Sequence, residues 1–472
     1  MKLETPLEAS RHRRISPSAE IADFLNRLAA ASDEASCATL GWSVRGQPIR
    51  ALICTRPSPR EKPRVMLVGS HHGGSEPAGG EALLEISRAL LHGDLRDLLD
   101  VLEIIVVPNA NPDGRDEDSS RNANGVNLNR DYVLLSQPES RALDAAVQRY
   151  RPHVVLDAHE SAALKRKSLG RAGWLTEFQA QFDVANNPAL PAPLLQFGEH
   201  VLLNDVIAEV DGSGLRAHRY IREILSLDQP LTHGGITIKR FRNKAGALGA
   251  LSFLLETRLD PKDGQYPSFR NIEVRAAKQL RCIRSFLARV AAHAPAILEL
   301  GGRDAFLRGG EPLIVAAHYA PIAQDATHRL PLRRIDTGEI VEIPFRDHRR
   351  LALHPPVVAP RAYLVPRHMN VLRDLLWRHG LRFDYVERAA HRRVVEHRIE
   401  QVMNEGAFAL RTTARERELH IPAGTLRIAL DQPLGRVAAL LFEPTSTSTT
   451  FGYPAYRRLL KPGEALPVYG EL

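Results

Sequence analysis

Cysteine is scarce. The 472 residues hold only Cys37, Cys54 and Cys282, widely spaced and with no CxxC pair. That pattern excludes a disulfide framework and a cysteine-ligated metal site, and it suits a reducing compartment. Long apolar runs are missing as well: none approaches the roughly 18–20 residues of a membrane span. The start, Met1-Lys-Leu-Glu-Thr-Pro6, lacks the apolar core of a secretory signal. Cytoplasmic location and no membrane partner are the expectations. Neither an internal repeat nor a long low-complexity tract is found.

What is present is ordinary globular material, with 44% hydrophobic and 25% charged residues. The length suffices for two or three domains. The formal charge of +8 is mostly arginine, spread along the chain. Arg11-His-Arg-Arg14 and Arg388-Ala-Ala-His-Arg-Arg393 are its densest pieces. No nucleic-acid motif accompanies them, so they read as solvated faces and no nucleic-acid partner is expected.

Taken in order, residues 1–15 are polar, basic and without apolar period, and read as a loose N-terminus. Ser18 is placed to cap a helix over Ala19–Ala31. Two strands, Ala38–Ser43 and Ile49–Thr55, flank a turn at Val44-Arg-Gly-Gln-Pro48. Val65–Val68, Leu102–Pro108, Val154–Ala158 and Ser252–Leu255 read as buried strands. Pro138–Tyr150, Leu194–Val210 and Ile272–Ala292 read as helices, with residues 161–190 irregular. A boundary is expected near His293–Gly302. Beyond it strand-like runs recur between Pro and Gly: Leu313–Ala317, Ile340–Pro344, Ala362–Val365, Ala407–Thr412, Leu426–Leu430 and Ala438–Phe442. Met369–His379 is a helix among them, and Ala390–Val402 is either helix or strand.

The chemistry concentrates where strands end. Val65-Met-Leu-Val68 runs into Gly-Ser-His-His-Gly-Gly-Ser-Glu76 and then a helix-like segment. A strand therefore delivers His71, His72 and Glu76 to a strand-to-helix turn, where α/β proteins place ligand sites. Imidazole and carboxylate are the ligands of hydrolytic zinc. Val154-Val-Leu-Asp-Ala-His159-Glu160 places another histidine at a strand end. Glu256 follows the apolar Phe253-Leu-Leu255, where a carboxylate is costly unless paired or used.

These pieces, with Asn109-Ala-Asn-Pro-Asp-Gly-Arg115 and Arg121-Asn-Ala-Asn-Gly-Val-Asn-Leu-Asn-Arg130, occur in an order that resembles the zinc carboxypeptidase family. The resemblance implies an α/β fold with a mixed, mostly parallel central sheet flanked by helices over 16–295, and a smaller β-rich accessory domain over 303–472. It implies one zinc ion on His72, Glu76 and His159, oriented by Asp157 or Glu160. Glu256 would be general base and acid towards the zinc-bound water, and Arg121 the oxyanion donor. Asn129 and Arg130 would bind a terminal carboxylate, while Asn109 and Asp113 shape a turn.

Three departures from the family stand out. The spacing is His72-Gly-Gly-Ser-Glu76 where the family has His-x-x-Glu; His72 is taken because Gly follows it, with His71 in reserve. Asn127 stands where Asp is usual. The family's mobile tyrosine has no counterpart: Gly234 and Gly235 occupy that stretch, Tyr220 is too early, and His233 is either a substitute donor or a solvated loop histidine. The expected substrate is a peptide or acyl-amino acid. A muropeptide amidase or acyl-amino-acid deacylase is the enzymatic alternative, and a binding module on a degenerate metal site the non-enzymatic one.

Overall fold

In chain order, the computed structural model has strands β1 (Ala35–Trp42), β2 (Pro48–Cys54), β3 (Arg64–Gly69), β4 (Glu103–Val107), β5 (Val154–Ala162), β6 (Trp174–Thr176), β7 (Ala180–Val184), β8 (Ala217–Arg219) and β9 (Leu251–Leu259) in its first part. It describes residues 3–162, 168–259, 268–301, 306–403 and 409–472. All but β6 form one sheet, ordered β1-β2-β4-β3-β5-β9-β7-β8. The pairings β4–β3, β3–β5, β5–β9 and β7–β8 are parallel, while β1–β2, β2–β4 and β7–β9 are antiparallel.

Alternation along each strand sorts the side chains into two apolar layers. Val65 and Leu67, Ile104 and Val106, and Val154 and Leu156 join one core with the helices Ser18–Ala30, Ala78–His92 and Ile272–Ala292. Met66, Val68, Ile105, Val107 and Val155 face the other way, onto Pro138–Tyr150 and Phe241–Ala247. Covering on both faces explains the unbroken apolar runs Val65–Val68, Ile104–Val107 and Val154–Leu156 in the central strands.

The C-terminal part carries a six-stranded sheet whose order is Asp384–Tyr385, Leu426–Ala429, Ala362–Val365, Tyr469–Glu471, Ala390–Met403, Ala409–Ile421. Its core includes the helices Met369–His379 and Gly435–Phe442, and also Val133, Ala185, Leu190, Ile238 and Ala247 from the first part. β6 pairs with the strand Thr327–Arg334. Buried Lys244 lies 2.7 Å from His379 Nδ1 and 3.4 Å from Asp144.

Several expectations need correction. The N-terminus is not loose from residue 5 onward: Pro6–Ala9 is helical, Thr5 and Glu8 cap it reciprocally, and Leu7 is buried. Its polarity reflects the cap and a Glu8–Arg88 ion pair rather than disorder. The next helix is Ser18–Ala30 and Ser18 does not cap it; its hydroxyl is bonded to Asp116 and the Pro112 carbonyl. At the expected boundary near His293–Gly302 the described residues form a helix, Ala294–Gly301. Ala438–Phe442 belongs to a helix, because a short, wholly buried apolar run carries no period to separate helix from strand. Ala390–Met403 resolves as a strand. The strand expected from Ala407 begins outside the described residues and is seen from Ala409.

Candidate active site

β3 ends at Gly69, and the chain then turns sharply. Ser70 takes a left-handed φ of 56° and Gly73 one of 47°. Buried Arg115 holds Ser70, donating to its hydroxyl at 2.7 Å. At Gly73 a Cβ would lie 2.5 Å from both the Gly114 carbonyl carbon and the Ser119 oxygen, so only glycine fits. Within the His72–Glu76 stretch, Gly73–Ser75 makes one tight 3₁₀ turn that returns Glu76 to the His72 ring.

The turn separates the two histidines. His72 Nδ1 lies 2.8 Å from Glu76 Oε1, and His159 Nδ1 lies 2.9 Å from Glu76 Oε2. Two rings, one from the turn after β3 and one from within β5, thus face one carboxylate. Glu76 would be raised by burial, but His72 and His159 hold its carboxyl far below the usual range. His72 Nε2 is buried without a partner among the described residues, leaving one ring nitrogen uncommitted.

His71 is fully buried and faces elsewhere: Nδ1 is 2.8 Å from Asp157 Oδ1 and Nε2 is 2.6 Å from the Tyr132 hydroxyl. A carboxylate only accepts, so His71 donates from Nδ1 and accepts the tyrosine proton at Nε2. Burial pushes its pKa down, which keeps it neutral. With both nitrogens committed, it has no lone pair to spare. Asp157 also takes His159 Nε2 at 2.8 Å. Burial alone would raise the Asp157 carboxyl, but His159 and His71 hold it well below its ordinary range. Asp157 is therefore the group that orients His159. Glu160 instead receives Arg275 at 2.8 and 2.9 Å and the Ala78 N–H at 3.0 Å.

β9 lies parallel beside β5, and Glu256 is the register partner of His159. Leu254, Glu256 and Arg258 alternate onto one wall of a cavity of about 370 Å³. The same cavity is lined by His72, Glu76, Asn129 and Arg130. Asn129 is anchored by the Phe241 N–H at 2.9 Å, and Arg130 donates to the Asn129 carbonyl at 2.6 Å.

Arg121 departs from expectation. It is exposed, donates to the Gly125 carbonyl at 2.7 Å within its own loop, and is not among the cavity's lining residues. A short-range backbone acceptor has captured it. Of the expected turn residues, Asp113 accepts the Ser43 hydroxyl at 2.6 Å and Asn109 donates to the Ser18 hydroxyl at 2.9 Å, while Asn111 is the residue that caps Pro112–Asp116.

Sequence reasoning set aside Tyr220, yet it lines the cavity. Burial, then Glu256, push its hydroxyl well above the usual range, so it stays a proton donor. It lies in a stretch without regular period, and only folding brings it to the site. His233, the expected substitute, is not among the lining residues; it donates from Nδ1 to the Tyr220 carbonyl at 2.8 Å.

Against known proteins, the first part of the chain has a clear likeness. Residues 21–172 match the zinc carboxypeptidase family. Carboxypeptidase 2 of Trichophyton rubrum is 26% identical over 435 residues, covering 85% of this chain and 77% of that one. A probable carboxypeptidase 2 of Arthroderma benhamiae is 32% identical over 207 residues, 42% of this chain and 38% of that one. Among solved structures, a metallo-carboxypeptidase from Burkholderia cenocepacia aligns with a TM-score of 0.45 at 20% identity, covering 58% of this chain and 70% of that one. The zinc carboxypeptidase match spans β1–β5 with the turn that carries His72 and Glu76, the loop of Asn129 and Arg130, and His159. Glu256 lies outside it.

The donor set fits zinc: two imidazoles and a carboxylate from a turn and a facing strand are within 4.8 Å of one another. A second group, His71, Asp157 and His159, meets the same distance test. It fits less well, since His71 and Asp157 are spent on Tyr132 and on the two histidines.

Proposed function

We propose that this chain hydrolyses the amide bond next to a free C-terminal carboxylate, as a zinc-dependent metallocarboxypeptidase. One observation carries the reading: His72, Glu76 and His159 converge beside a cavity whose walls also bear Glu256, Asn129 and Arg130. His72, Glu76 and His159 would hold the ion. When bound, zinc supplies polarisation of the scissile carbonyl and a water whose pKa is near neutral.

The protein's own groups do the rest. Asp157 fixes the His159 ring through Nε2, leaving Nδ1 as the ligand atom. Glu256 takes a proton from the attacking water and returns it to the leaving nitrogen. Asn129 and the Arg130 guanidinium bind the terminal carboxylate, with Arg130 braced on the Asn129 carbonyl. Arg121, the oxyanion donor implied by family resemblance, would have to leave Gly125 to serve.

The test uses one peptide with a free and with an amidated C-terminus. Amidation should lower kcat/KM by about 10–100-fold, the worth of hydrogen bonds to a charged group. Equal turnover of the two would contradict a carboxypeptidase.

A further inference from the structure

Five arginines line the cavity, and four of them are accounted for or exposed. Arg242 is ion-paired with Asp183. Arg258 donates to the Thr176 carbonyl at 2.9 Å. Arg130 is bonded to Asn129 and is assigned to the terminal carboxylate. Arg222 is an exposed residue at the lining. Arg240 is different. It is half-buried, its Nε is buried without a hydrogen-bond partner, and no described carboxylate pairs with it. Burial, then Arg130 and Arg242, push its pKa down to about 10, as expected of a cation among cations.

Its position is fixed from two sides. The next residue, Phe241, donates its N–H to Asn129 Oδ1, so Arg240 sits beside the subsite for the terminal carboxylate. Opposite, Gly235 leaves room for the guanidinium: a Cβ there would lie 3.0 Å from Arg240 Nε. A partly dehydrated guanidinium without a carboxylate is costly unless a ligand supplies one.

We infer that the cavity selects substrates whose C-terminal residue is itself acidic, with Arg240 binding the side-chain carboxylate while Asn129 and Arg130 hold the terminal one. This rests on the carboxypeptidase reading and names its substrate class. A planar guanidinium suits a carboxylate, which takes paired N–H donors. Arg240 is a specificity residue and takes no part in the proton transfers.

The experiment compares peptides ending in Glu, Gln, Leu and Lys on the zinc-loaded protein. It also measures calorimetric binding of N-acetylglutamate and N-acetylglutamine. Wild type should favour the Glu-terminated peptide over the Gln-terminated one by about 10–100-fold in kcat/KM, and N-acetylglutamate by a similar factor in Kd. Arg240→Gln should abolish both preferences while changing turnover of the Gln-terminated peptide only slightly. Arg240→Glu should shift preference to Lys. No Glu-over-Gln preference in wild type would overturn the inference. So would an Arg240→Gln loss equal for all four peptides, which would make Arg240 a holder of the terminal carboxylate. If no peptide is cleaved, the carboxypeptidase reading fails, and the two acetylated amino acids still decide whether Arg240 selects an acid.

Discussion

Glu256 and His159 show how one pairing makes a site. Neither residue is near the other in sequence, but parallel β5 and β9 set them opposite each other. Glu256→Gln keeps the shape and removes the proposed base. Its kcat should fall by about 10²–10⁴, with KM nearly unchanged and bound zinc retained, because Glu256 is outside the proposed ligand set. Steady-state kinetics and elemental analysis of one preparation check both, and zinc loss would move Glu256 into the metal shell. The residues that the sequence singled out share a property: His72 and Glu76 follow the apolar strand β3, and His159 and Glu256 follow the apolar runs that open β5 and β9. Tyr220 and Arg240 were not legible, because they come from irregular backbone where neither spacing nor period says which way a side chain points. The position of Arg121 was hidden for a related reason, since a sequence does not reveal a carbonyl four residues on that binds the guanidinium.

At the scale of elements, period decided what could be read. Pro138–Tyr150, Ile272–Ala292 and Met369–His379 match their expected bounds because each has one apolar face. Ala438–Phe442, the wholly buried end of the helix Gly435–Phe442, shows no polar side within its five residues and reads as a strand from sequence. The segment between β8 and β9 has no regular order at its start and depends on side chains to hold it. His233 is one of these, buried and bonded to the Tyr220 carbonyl. Burial, then Arg219, push its pKa down to about 4, whereas an unfolded histidine titrates near 6.5. Between those values the unfolded chain binds a proton that the folded chain refuses. The stability involved is full above about pH 6.5 and is lost as pH falls towards 4, by at most ~1.4 kcal/mol per pH unit. His233→Gln keeps a donor without the titration. Urea unfolding at pH 7 and pH 5 should show a smaller fall in stability for His233→Gln than for wild type; an equal fall would assign the loss to other groups.

Across the whole molecule, the β-rich part is not an appendage. One core joins Leu190, Ile238 and Ala247 to Leu376, Leu440 and Phe442, and Lys244 reaches across to His379. The chain should therefore melt in one cooperative transition. Leu440→Ala, at a fully buried position, should cost about 2–5 kcal/mol and lower that single transition; two separated transitions in wild type would show independent folding units. The sequence signalled the change of texture near residue 300 but not this shared core, because contacts between distant segments leave no local period. The central claim is that His72, Glu76 and His159 form a metal site, and the most direct measurement is zinc content per chain by elemental analysis after dialysis against a weak chelator. Wild type should retain about one zinc, as a site of three protein ligands does, and His72→Ala should retain almost none. A wild-type chain that takes up no zinc, or a His72→Ala chain that keeps it, would contradict the account.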